Sequence, residues 1–181
     1  MLQFVVFLTE IAFSPKSKWA IFVESEIIFY LCNYYFEKIC AMKQKSLIGF
    51  SCEPLDRVRI GFIGVGARGQ LAVERMSDID GAEVVAASDF IEENIAAACA
   101  IVERYGGARP TTYLGEEGWR DLCSQPDIDL IYISTDWVSH AEIAIYALDQ
   151  GKHVALEVPA AMSVADCWRL VDAAERAERH C

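Results

Sequence analysis

From Arg57 onward, short β-branched apolar runs alternate with segments of helical period, the pattern of successive β-α-β units on a parallel sheet. The run Val58 to Ile63 ends at Gly64 and reads as a buried first strand. A helix over Arg68 to Met76 follows, then a second strand over Glu83 to Ser88 that Asp89 closes. Ile95, Ala98, Cys99 and Val102 recur at i, i+3, i+4 and i+7, so a second helix is expected there, stopping at Gly106-Gly107.

A weak strand around Thr112 to Leu114 and a short helix near Trp119 to Cys123 come next. Residues 129–135, DLIYIST, read as a strong central strand. Ser139 and Glu142 form an S-x-x-E capping box that starts a helix at His140, and Gly151 ends it. His153 to Glu157 is a fifth strand. Ser163 and Asp166 cap a last helix, whose Val164, Cys167, Trp168, Val171 and Ala174 make one apolar stripe. Five strands with intervening helices predict an α/β fold, a Rossmann-type doubly wound parallel sheet of order 3-2-1-4-5.

Residues 1–55 are different: apolar, with no glycine before Gly49, no turn clusters and no clean period. MLQFVVFLTEIAF lacks a basic residue before Lys16 and a small-residue cleavage site, so no secretory signal is expected. In WAIFVESEIIFYLCNYYF, Glu24 and Glu26 fall mid-segment, where charge is costly in a bilayer, and no transmembrane helix is expected. Five Lys and five Glu cancel over residues 1–55, while the rest holds 11 basic and 22 acidic residues. The boundary is therefore placed near 55, with an atypical extension over 1–55 and a nucleotide-binding domain over 57–181. One reading takes Met42 as the natural start.

The 181 residues are 54% apolar and 24% charged, a profile that fits one globular domain. A net charge of -11 disfavours nucleic acid and anionic membranes as partners. Seven cysteines, at 32, 40, 52, 99, 123, 167 and 181, include no C-x-x-C pair, so neither zinc nor a disulfide framework is expected. Cys99 and Cys167 read as buried thiols, and a reducing compartment, the cytoplasm, is expected.

Gly64-Val65-Gly66-Ala67-Arg68-Gly69 is G-x-G-x-x-G between a predicted strand and a predicted helix, with Asp89 closing the next strand 25 residues after Gly64. Gly64 allows the tight turn, Gly66 lets backbone approach a pyrophosphate, and Gly69 lets helix pack on strand. The helix N-terminus offers N–H groups to phosphate. Asp89 reads either as the acceptor for a ribose 2′-hydroxyl, favouring NAD over NADP, or as a solvated turn residue. Arg68 is expected on the phosphate or adenosine side.

The segment Ser134 to His140 lies at the carboxyl end of the fourth strand, where ligands bind in open α/β sheets. His140 reads either as a ligand contact or as a surface or capping residue, and Trp137 either as a ligand wall or as a loop anchor. Glu157, before Val158-Pro159, reads either as a partner of the nicotinamide ribose or as a solvent-facing strand end.

Together these three loops resemble the Gfo/Idh/MocA family of sugar-directed oxidoreductases over residues 57–181. That family carries T-P-x-x-x-H after the fourth strand and E-K-P after the fifth. This chain keeps Thr135 and His140 but has Asp136 for the proline and Val158 for the lysine. Its E-V-P-A-A and C-W-R-L-V-D-A-A-E-R segments, with G-V-G-A-R-G and G-K-H-V-A, look like glycoside hydrolase family 109, the NAD-dependent α-N-acetylgalactosaminidases.

The resemblance implies NAD as cofactor, met by Ala67 and Arg68 at the glycine loop and by Asp89 at the adenosine ribose. Trp137, Val138, Ser139 and His140 would line the nicotinamide side, and Glu157 and Val158 its ribose. It also implies a sugar substrate cleaved through transient hydride transfer from C3, elimination at C1, water addition and return of the hydride. The family's acid/base residues and substrate domain lie past Cys181, so the chain is read as a fragment with little turnover. The rival readings are a sugar or inositol dehydrogenase, a non-catalytic dinucleotide module, and a truncated or misread longer gene. Uncovered apolar surface makes homo-oligomerisation an expectation.

Overall fold

The computed structural model describes Leu47 and residues 49–181, so the readings made for most of the 1–55 extension lie outside the described residues. Five parallel strands, β1 (Val58–Ile63), β2 (Ala82–Asp89), β3 (Thr111–Leu114), β4 (Leu130–Ile133) and β5 (His153–Leu156), form one sheet ordered β3-β2-β1-β4-β5. The predicted order is the observed one. Helices α1 (Ala67–Ser77), α2 (Glu92–Arg104), α3 (Gly118–Cys123), α4 (His140–Asp149) and α5 (Val164–Ala177) make the crossovers.

Strands buried on both faces need apolar residues at consecutive positions, and β1 supplies them. Ile60 and Phe62 pack with Val73 of α1 and Val102 of α2, whereas Ile63, Ile131 and Ile133 pack with Leu148 of α4 and Ala173 of α5. The sheet thus separates two cores. Gly61 permits this on the second face, because a Cβ there would stand 2.7 Å from the Leu122 side chain of α3.

The predicted stripe of α5 is corrected: its buried residues are Leu170, Ala173 and Ala174, while Val164, Cys167, Trp168 and Val171 are exposed. The helix is apolar on two faces, and its place beside α4 at the margin of the sheet buries only one. Cys167 is therefore not the buried thiol expected, whereas Cys99 is, and burial pushes its thiol up. Ser163 does cap α5, accepting the Asp166 N–H at 3.1 Å, and Gly151 follows α4 at φ +76°. Among the described residues no helix is long and apolar enough to cross a membrane.

At the amino end of the sheet, Asp129 accepts the Arg59 N–H at 2.9 Å and both arms of its guanidinium at 2.9 and 2.7 Å. That bonding holds the Asp129 carboxyl below the usual carboxylate range. A carboxylate depressed on folding contributes stability at neutral pH and loses it as pH falls through its folded value. Asp129→Asn is expected to flatten the acid limb of stability between about pH 5 and about pH 2. Thermal unfolding across that range measures it, and an unchanged limb would assign acid lability elsewhere.

Candidate functional site

Strand β1 ends in the glycine turn. Gly64 has φ +80°, and a Cβ on it would stand 2.8 Å from the backbone of Ser134, so both conformation and space require glycine. A Cβ on Gly69 would overlap the Gly64 carbonyl oxygen, which is what lets α1 pack directly on the turn. Gly66 differs, since a Cβ there would meet only Asn94 Nδ2, at 3.9 Å. Among the described residues nothing needs Gly66 to be small. The space above it opens at the start of α1, which no side chain caps and whose first turn holds no acidic residue.

That space belongs to a cleft of about 360 Å³ at the carboxyl ends of the strands, lined by Gly64, Gly66, Asp89, Asn94, Thr135 and Ser139 among others. Its size suits a small organic ligand. Asp89 is 8% exposed and is not a solvated turn residue. Its Oδ2 accepts the Val65 N–H at 2.9 Å and Asn94 Nδ2 at 3.3 Å, and its Oδ1 accepts the Ile91 N–H at 2.9 Å. The carboxylate is thereby fixed to the glycine turn on one side and to the start of α2 on the other.

At the end of β4, the Ser134 hydroxyl donates to the Gly64 carbonyl at 2.6 Å, tying the second loop to the first. The predicted Ser139–Glu142 capping box does not form. Ser139 has helical backbone angles and no side-chain cap bond, and Glu142 pairs instead with Arg120 at 3.1 Å. Asp136 replaces it: its Oδ1 accepts the Val138 and Ser139 N–H groups at 3.0 and 3.2 Å. Burial pushes the Asp136 carboxyl up, but the Ser139 hydroxyl and these N–H groups outweigh it and hold the carboxyl low.

His140 is fully buried, not at the surface, and does not line the cleft. Its Nδ1 lies 2.8 Å from the Pro159 carbonyl and its Nε2 lies 3.2 Å from the Thr135 carbonyl. The imidazole thus joins the β4 loop to the β5 loop. Trp137 and Val138 are exposed, at 59% and 81%, so Trp137 is no loop anchor.

At the end of β5, Glu157 is not a free solvent-facing residue. Arg68 binds it with two guanidinium arms, at 2.8 and 3.0 Å, and the Tyr132 hydroxyl donates to it at 2.8 Å. Arg68 and then Tyr132 hold the Glu157 carboxyl below its ordinary range. Burial, followed by that carboxylate, pushes the Tyr132 phenol up. Arg68 is thus turned toward β5, three strand positions and roughly 14 Å from Asp89 at the usual spacing.

Of the predicted site residues, Gly64, Gly66, Asp89, Thr135 and Ser139 line one cleft. Gly69 supports it from below, and Ala67, Arg68, Trp137, Val138, His140, Glu157 and Val158 lie off its wall. Asn94 and Tyr132 were not foreseen. Asn94 is signalled by its place in the first turn of the helix that follows Asp89, and Tyr132 by its alternation with Leu130 on β4 toward Phe62.

A strand, a three-glycine turn, a helix and a buried acidic residue on the neighbouring strand define a Rossmann dinucleotide-binding domain. Residues 58–181 match the oxidoreductase family with NAD-binding Rossmann fold, and the chain belongs to that family. It is 53% identical over 140 residues to glycosyl hydrolase family 109 protein 2 of Phocaeicola vulgatus, covering 77% of this chain and 34% of that one. It is 44% identical over 138 residues to an alpha-N-acetylgalactosaminidase of Bacteroides fragilis, covering 76% of this chain and 32% of that one. The chain spans about a third of the length of these relatives. Among solved structures it is similar to myo-inositol dehydrogenase from Lactobacillus casei in complex with NAD(H) and myo-inositol. The TM-score is 0.55 at 31% identity, over 65% of this chain and 33% of that one.

Proposed function

We propose that the chain supplies the NAD-binding half of a glycosidase that acts on α-N-acetylgalactosaminides through transient oxidation of the sugar. The observation that carries this reading is Val158. It stands 82% exposed just past β5, where ordinary dehydrogenases of the family carry a lysine, and it has no group able to move a proton at the substrate. The names of the two relatives point the same way. The open space over Gly66 admits a pyrophosphate at the start of α1, and Asp89 offers a fixed carboxylate to the adenosine ribose while repelling a 2′-phosphate. Trp137, Val138, Ser139 and His140 build the loop on the nicotinamide side. When bound, the dinucleotide would take a hydride from the sugar and return it within one turnover.

Five free thiols among the described residues suit a reducing compartment, the cytoplasm. The exposed apolar face of α5 favours self-association of the isolated chain.

Two measurements test the reading. Calorimetry on the chain is expected to show NAD⁺ binding and at least tenfold weaker NADP⁺ binding; equal affinities would remove Asp89 from selection. A full-length protein carrying this domain is expected to release N-acetylgalactosamine with no free NADH. Stoichiometric NADH in solution would instead establish the dehydrogenase reading.

A further inference from the structure

The two carboxylate oxygens of Glu157 offer about four acceptor positions between them. Oε1 accepts Arg68 Nε at 2.8 Å and the Tyr132 hydroxyl at 2.8 Å, which fills it. Among the described residues Oε2 accepts only Arg68 Nη2, at 3.0 Å, which leaves one position open there. The backbone is fixed as well, because the Glu157 N–H donates to the Ile133 carbonyl at 3.0 Å. Tyr132 is itself held by its ring, stacked on Phe62 with centroids 4.9 Å apart. That stacking needs only a phenyl group. The hydroxyl is surplus to the core and, among the described residues, has one partner, Glu157.

We infer that Tyr132 and Arg68 are positioning residues that leave Glu157 one open acceptor, on Oε2, for a single hydroxyl of the nicotinamide ribose. The inference rests on the NAD reading above. A carboxylate held by Arg68 alone would keep a second open position on Oε1 and could turn about the guanidinium. The Tyr132 hydroxyl closes that position and fixes the plane of the carboxylate. The bidentate fork supplies the direction that a lysine could not.

ADP and NAD⁺ together provide the test, because both share the adenosine half and only NAD⁺ carries the second ribose. Calorimetry is run on the 181-residue protein, on Tyr132→Phe and on Glu157→Gln, with folding of each checked by circular dichroism. Tyr132→Phe is expected to weaken NAD⁺ by about 3- to 10-fold, the span of one hydrogen bond, and to leave ADP within about twofold. Glu157→Gln is expected to show the same selective loss, and it carries the comparison if Tyr132→Phe does not fold. Equal weakening of both ligands, or no change in either, would overturn the positioning role. So would unaltered protein that binds NAD⁺ no more tightly than ADP. Unaltered protein that binds neither ligand would instead refute the NAD reading, and the inference with it.

Discussion

Gly69→Ala is expected to abolish dinucleotide binding and to destabilise the fold, whereas Gly66→Ala is expected to abolish binding alone. A methyl at 69 overlaps the backbone oxygen of Gly64, and backbone cannot rotate aside as a side chain can. Overpacking of this kind costs about 1–3 kcal/mol, and more where neither partner yields. The relief available is to lift α1 off β1, which also moves the helix start away from the phosphate position. At 66 a methyl finds open space and is close only to Asn94, so melting should stay within a degree or two of the unaltered protein. The same methyl would stand on the path proposed for the pyrophosphate. Calorimetry with NAD⁺ alongside thermal melting separates the two variants. Full affinity in Gly66→Ala would show that no phosphate crosses that glycine.

Asp89→Ala is expected to lose both stability and NAD⁺ binding, and Asp89→Asn to separate the two losses. Alanine leaves the N–H groups of Val65 and Ile91 without their acceptor. The buried Val65 N–H so stranded costs about 1–3 kcal/mol, and the part-buried Ile91 N–H less. Asparagine has nearly the same volume and keeps an acceptor oxygen for the buried Val65 N–H, but its NH2 then faces the Ile91 N–H, so part of the stability should return. It also removes the negative charge that would face a 2′-phosphate. NADP⁺ is therefore expected to gain on NAD⁺ by at least tenfold in relative affinity. If Asp89→Asn still rejects NADP⁺, selection rests on the shape of the cleft instead of the charge of Asp89.

Much of this fold was legible because its signals are local. The β-branched runs of β1 and β2, the glycines at 64, 66 and 69 and the Ser163 cap each act within a few residues of themselves. The cleft was legible where its residues stand at strand ends or helix starts, as Gly64, Gly66, Asp89, Thr135 and Ser139 do. What escaped depends on partners distant in sequence. Arg68 finds Glu157 89 residues away, across β4, and no spacing rule announces that. Ser139 and Glu142 have the form of a capping box, yet Asp136 takes the N–H groups of the turn before the helix and Arg120 pairs with Glu142. The outer stripe of α5 obeys helical periodicity as well as the inner face does, and only the position of α4 decides between them.

His140 gives the cleft one more property. A single buried ring touches a carbonyl in the loop after β4 and another in the loop after β5, so neither loop can shift without breaking a contact inside the protein. The loops after β4 and β5 are therefore tied to each other through one side chain. A ligand that restrains either loop loses little further freedom in engaging the other, and the ordering cost of the second contact is met by the fold before any ligand arrives.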